Sequence, residues 1–289
     1  MICLLKMEFY HFIKCKSLYV ILLLIAAGCL FSTSTFQYEE EILDAGTDAG
    51  ITFMDESNLV KSPQTADDLV IGLAVTAPAD TKYITVADLF FAHAQGRFLA
   101  LFLCIFTVIY TLTDFRCGYI KNIAGQARHR YSLYLSKAIV LFAFTVLAFI
   151  VLLLTQALAY RIFLKSVVWG IDSSFFRYFG IQLLLHFSLC LVVMTVASLT
   201  KSNVVGIIFG IFACMNVFII VYGLLDKLAH KAGFDSFRTI THTLTGKISL
   251  LPMQPEPKEI ISTVITGIVF AAAALGIGSI FFQKRDINV

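Results

Sequence analysis

Long apolar runs separated by polar stretches set the plan of this chain. Six runs, residues 17–36, 89–113, 138–163, 176–200, 204–225 and 260–282, are each long enough to cross about 30 Å of hydrocarbon at roughly 1.5 Å rise per residue. Polar stretches separate them at 37–88, 114–137 and 226–259, and Lys201-Ser202-Asn203 makes a tight turn between the fourth and fifth runs. Ahead of the first run, Leu5, Phe9, Phe12 and Ile13 recur at helical spacing, with Lys6, His11 and Lys14 mostly off that stripe. Residues 1–16 therefore read either as an amphipathic helix lying in the inner interface or as an ordinary basic flank of the first span. The pattern predicts an all-α polytopic membrane protein of six transmembrane helices, an N-terminal interfacial helix and a sizeable extracellular loop region. Its parts are 1–16, the six-span domain 17–289, an extracellular subdomain at 37–88, a cytoplasmic segment at 114–137 and a second long extracellular loop at 226–259.

Composition agrees with this pattern. The chain is 58% hydrophobic and 14% charged, with mean hydropathy +0.85, whereas a soluble domain has roughly a quarter of its residues charged. The distribution of charge orients the spans. The side holding both termini and 114–137 carries eleven basic and three acidic residues, net +8; the other carries eleven and sixteen, net −5. By the excess of Lys and Arg in inner loops, both termini are cytoplasmic. Arg97 lies 17 residues from Asp114, about 26 Å along a helix, and is expected to snorkel to the outer interface. Trp169 reads as an interface anchor on that side.

Little in the chain suggests bond-making chemistry. The seven cysteines lie in apolar runs or beside basic segments and lack metal-binding spacing, so neither an outer disulfide framework nor a metal site is expected. Gly246-Lys247 resembles the end of a phosphate-binding loop, but Thr241 stands where glycine is needed and Ile248 where Ser or Thr is needed. Any energy source must then sit on another subunit, and the chain itself is not expected to be an enzyme. His93 and His242 look isolated, and no serine–base constellation is visible. No charge sits in the middle of a span. Thr107, Tyr110, Gln156, His186 and Asn216 are neutral polar groups there, each able to line a path or to make an interhelical hydrogen bond worth about 0.6 kcal/mol. Gly206 and Gly210 form a small-xxx-small face that permits close helix packing, as do Ala274 with Gly278 and Ala272 with Gly276. The 27 phenylalanines read as lipid-facing bulk or as the lining of an aromatic cavity.

The segment Asp114–Lys137 stands out as the one strongly basic stretch wedged between two apolar runs. Arg116, Lys121, Arg128, Arg130 and Lys137 face a single acid, Asp114. Its pattern, Asp114-Phe-x-x-Gly118-Tyr-Ile-Lys121-Asn122 followed by Arg128, Arg130 and Ser136-Lys137, resembles permease subunits of ABC-2 type transporters. The closest flavour is the bacterial permeases of lantibiotic, bacitracin or phenol-soluble-modulin export and self-protection. The resemblance extends to the whole layout. It implies a multi-pass protein of the bacterial plasma membrane, acting as a homodimer of permeases on separate cytosolic ATPase subunits that carry ATP and Mg, with no cofactor on this chain. It further implies that Asp114, Arg116, Gly118, Lys121, Asn122, Arg128 and Arg130 form the coupling segment docked on the ATPase. The substrate path would run between the two copies beside spans two and five, where Gly206 and Gly210 suit close approach and Thr107, Tyr110 and Asn216 are available as lining. The expected cargo is an amphipathic or antimicrobial peptide, or a similar hydrophobic molecule, and no nucleic acid is involved. The basic residues could equally contact anionic lipid heads. A different class remains open: a membrane peptide-binding sensor or immunity protein that binds on its acidic outer stretch without translocating.

Overall fold

The computed structural model describes residues 2–48, 72, 73, 75, 85–116, 131–163, 168–231, 233 and 238–284. Among them the structure is helical, without strands. Helices α1 (Ile2–Lys14) and α2 (Lys16–Asp48) are followed by α3 (Val86–Gln95), α4 (Phe98–Arg116), α5 (Tyr131–Phe163) and α6 (Ser173–Thr200). Then come α7 (Asn203–Cys214), α8 (Ile219–Lys231), a 3-10 turn at Thr239–His242, α9 (Leu244–Leu250) and α10 (Pro257–Lys284). Four helices are long and apolar enough to cross a membrane: α2 over Lys16–Thr35, α5, α6 and α10 over Pro257–Gln283. The count reaches six if each of two bent pairs, α3 with α4 and α7 with α8, forms one span.

Those bends are the main departure from the expected layout. The second and fifth apolar runs read as single helices, but α3 meets α4 at 55° and α7 meets α8 at 64°. With 12 residues, α7 is only about 18 Å long, well short of the hydrocarbon thickness. Neither break contains proline. Each has one residue in the left-handed region instead, Arg97 at φ 60° and Asn216 at φ 56°, a conformation in which the helical hydrogen-bond ladder cannot continue.

Other boundaries shift for local reasons. Helix α2 runs 12 residues past Phe36, so the start of the proposed 37–88 subdomain is an extension of the first helix; residues 49–71 lie outside the described residues. Its far end overlaps α3, which starts at Val86 under a capping box. Asp88 N–H donates to Thr85 Oγ1 at 3.2 Å, and Thr85 N–H to Asp88 Oδ2 at 2.9 Å. Helix α5 begins at Tyr131, so the last seven residues of the 114–137 segment belong to the third span. At the other end of α6, Lys201 at φ 52° closes the helix and Ser202 caps α7, leaving two non-helical residues in the turn.

Helix α4 is central, packing against α2, α3, α5, α6 and α7, while α10 lies chiefly along α6. Two hydroxyls seven residues apart on α6 bind backbone carbonyls of α10: Ser188 Oγ donates to Gly267 O at 2.9 Å and Thr195 Oγ1 to Ala274 O at 3.1 Å. Small residues make that approach possible. Of the two small pairs read from the sequence, Ala274 and Gly278 are buried, whereas Ala272 and Gly276 are exposed. The phenylalanines follow the lipid-facing expectation only in part: Phe31, Phe142, Phe176 and Phe212 are exposed. Phe90, Phe106, Phe144, Phe149 and Phe175 are buried in the core, with Phe106 and Phe144 stacked at 3.8 Å between centroids and Phe90 touching both Phe149 and Phe175. They fill the space between α3–α4 and α5–α6, where bulk is needed to bring apolar helices into contact.

Candidate functional site

Three buried polar groups connect distant parts of the chain. The first lies at the end of the bundle where α1 packs on α5. Tyr110 of α4 donates its hydroxyl to Glu8 Oε2 at 2.7 Å, and Lys137 of α5 approaches the same oxygen at 3.4 Å. Lys137 Nζ also lies 4.8 Å from the centre of the Tyr110 ring, in cation–π contact. Glu8, Tyr110 and Lys137 are all buried. A carboxylate and an ammonium out of water each carry a large desolvation cost. The pair is tenable because charge, hydroxyl and ring satisfy them together. Lys137 is thus not a free cation of the basic segment; it is bound to the N-terminal helix. Tyr110 is its partner, with its hydroxyl donated to Glu8.

The second group lies between α2, α3 and α5. His93 Nδ1 is 2.7 Å from the Leu89 carbonyl, a contact favourable only with the proton on Nδ1; Nε2 then accepts from the Ser32 hydroxyl, with which it is in hydrogen-bond contact. The Gln156 amide lies 2.9 Å from Nδ1 and connects onward to Thr33 Oγ1 at 3.4 Å. His93 is therefore not isolated, and sequence reading missed its serine partner, 61 residues away. The arrangement has the proton placement of a serine–base pair. It carries no acid behind the base, however, and His93 and Gln156 are wholly buried. Its effect is to bind three helices together. His186, another of the polar span residues, is also wholly buried, with Nδ1 2.8 Å from its own helix's Gln182 carbonyl.

The third group joins the two helix breaks. Arg97, expected to snorkel outward, is 3% exposed and bonded within the chain. Its Nη2 donates to Gly72 O at 3.0 Å, and Gly72 N–H donates to Met215 O at 2.9 Å. One glycine thus bridges the α3–α4 break and the α7–α8 break. Asn216, the residue after Met215, is buried there too. Nearby, Cys104 of α4 and Cys214 at the end of α7 approach to 3.8 Å between sulfurs, both as free thiols. Gly206 and Gly210 face the same contact: a Cβ on Gly206 would lie 2.9 Å from Val108 Cγ1 and one on Gly210 2.9 Å from Cys104 Cβ. Their small face is taken up by α4 of the same chain. Thr107 sits on the buried side of α4 with its hydroxyl donated to Leu103 O at 2.8 Å.

Of the coupling residues read from the sequence, Gly118, Lys121, Asn122, Arg128 and Arg130 lie outside the described residues. Asp114 and Arg116 belong to the last turn of α4. What the fold does bring together is the pair of helices bounding that segment, α4 and α5, with α1 fastened to both through Glu8. No protein-family model matches the chain, and no curated protein or solved structure is similar to it.

Proposed function

We propose that the chain is the permease subunit of an ATP-driven exporter of the ABC-2 type. In this reading it lies in the bacterial plasma membrane with both termini cytoplasmic. It works as two copies on separate cytosolic ATPase subunits, which carry ATP and Mg, and moves an amphipathic or antimicrobial peptide, or a similar hydrophobic cargo, outward. The observation that carries the reading is the buried Glu8 carboxylate shared by Tyr110 and Lys137. It fastens α1 to the two helices that enter and leave residues 117–130. A displacement of that segment by a motor would reach α1, α4 and α5 together. The basic residues Arg116, Lys121, Arg128 and Arg130 supply charge for acids on the partner, and Gly118 allows close docking. Two helix breaks joined through Gly72 also support the reading, since broken helices in transporters are found where helices enclose a path.

The test is reconstitution with a candidate ABC ATPase subunit from the same cell. Stimulated ATP hydrolysis is expected, and substitution of Gly118 and Lys121 is expected to remove it. Undiminished stimulation in that variant would sink the coupling role.

A sensor or immunity protein is the second reading. The unbroken α2, which runs from the first span to Asp48 and carries Glu39, Glu40, Glu41, Asp44 and Asp48 beyond it, favours this alternative. Deleting residues 49–71 distinguishes them: peptide binding lost while ATPase coupling persists indicates a receptor loop on a transporter, and absence of any ATPase coupling in the intact chain favours the sensor.

A further inference from the structure

We propose that the junction of the two helix breaks is an anion site, in which Arg97 holds a carboxylate or phosphate group. The inference stands apart from the transport reading and rests on three features of one residue. Arg97 is 3% exposed, and its Nε and Nη1 have no hydrogen-bond partner, the guanidinium's described bond being Nη2 to the Gly72 carbonyl. A guanidinium is always charged and has five N–H donors, so three of them, on Nε and Nη1, are left without an acceptor in an apolar setting. Among the described residues no carboxylate forms an ion pair with it. A buried cation without a counter-charge is strongly unfavourable, and a site kept in this state is one that an anion completes.

The backbone adds a second argument. Arg97 occupies the left-handed region at φ 60°, where glycine is the low-strain choice, while Gly96 beside it keeps a helical φ of −68°. The strained position is thus given to the residue with the cationic side chain. Such strain is held where it aims a functional group. Location adds a third. Sixteen residues of α4 separate Arg97 from Thr113, about 24 Å, which puts the guanidinium toward the far margin of an apolar layer from the Glu8–Lys137 end. Exposed Phe212 and Ile220 flank the opposite break and offer apolar surface to a chain attached to the anion. The ligand chemistry is an anionic oxygen head, either borne on an alkyl chain from the bilayer or free in solution.

The experiment measures thermal unfolding of the purified full chain in a nonionic detergent during titration with dodecyl phosphate, dodecanoate, inorganic phosphate and dodecyltrimethylammonium. A saturable rise in Tm with the anionic amphiphiles and none with the cationic one is expected. An equal response to inorganic phosphate assigns the source as a free anion; a response confined to the amphiphiles assigns it to a bilayer-borne head. In Arg97→Gln the apparent Kd should weaken by at least about tenfold. Arg97→Lys, which keeps the charge, should retain a weaker response. The same titration in wild type and Arg97→Gln overturns the proposal. So does a ligand-free Arg97→Gln protein that unfolds earlier while wild type ignores every anion, because the guanidinium would then be satisfied within the chain. Native mass spectrometry of wild type with dodecyl phosphate, where one bound molecule is expected, keeps the question decidable if the variants fail to fold; no retained molecule there counts against the site.

Discussion

Glu8 and Lys137, 129 residues apart in sequence, meet as a 3.4 Å ion pair with both side chains 3% exposed. Removing one partner of such a pair leaves the other charged and buried, at a cost of about 3–5 kcal/mol. Lys137→Met should therefore lower the unfolding temperature of the purified chain markedly. Adding Glu8→Gln should recover most of the loss, since the Gln amide oxygen can still accept from Tyr110. If the single variant unfolds no earlier than wild type, the pair does not hold α1 in place.

Cys104 and Cys214 are placed to report on the contact between α4 and α7. Their sulfurs are 3.8 Å apart, so a small approach reaches the roughly 2.05 Å of a disulfide. Treatment with diamide, which takes up the two electrons and two protons released, should give a mass loss of two hydrogens and protect both thiols from later alkylation. Cys15, a free and partly exposed thiol, provides the internal control. Complete alkylation of all three after oxidation would place the helices further apart than described.

Two glycines two residues apart in α10, and so on different faces of it, should respond oppositely to alanine. A Cβ on Gly278 would run into the ring of Tyr134, whose hydroxyl is bound to Thr195 at 2.8 Å and so cannot swing away freely. Gly276 has open space around it. Gly278→Ala is expected to cost about 1–3 kcal/mol through overpacking, whereas Gly276→Ala should be neutral or gain up to about 1 kcal/mol from helix propensity. Chemical unfolding of the two variants side by side tests the face of α10 that meets α5 and α6.

His93→Ala should remove the ring through which Ser32 of α2 reaches α3 and leave a cavity in a wholly buried place. Faster amide hydrogen exchange is expected in α2 and α3, where the histidine joins them, and α10 should be unaffected. Uniform change across the chain would mean that the cluster has no local binding role.

The long spans were legible because hydropathy alone decides them: α6 and α10 fall within three residues of the apolar runs at 176–200 and 260–282, while α5 begins seven residues before the run at 138–163. Ser202 was legible as part of a turn, and its capping role follows from its hydroxyl. The breaks were not. Hydropathy is blind to backbone direction, neither break contains proline, and the left-handed residue at the first is Arg97 rather than its glycine neighbour. The buried polar groups were hidden for another reason. Glu8 with Lys137, Ser32 with His93 and Arg97 with Gly72 are tertiary meetings across 129, 61 and 25 residues, and a charge read one residue at a time is assigned to water or lipid by default. Gly206 and Gly210 show the intermediate case. Their size announced close packing, but only the fold names Val108 and Cys104 as what they pack against.

Gly72 has a mechanical consequence. Its carbonyl is bound to Arg97 and its amide to Met215, so both bends hang on a single residue. Straightening either helix pair would tear at the same knot and tug on the other. The two joints therefore share one anchor: losing either hydrogen bond unties one bend from the other.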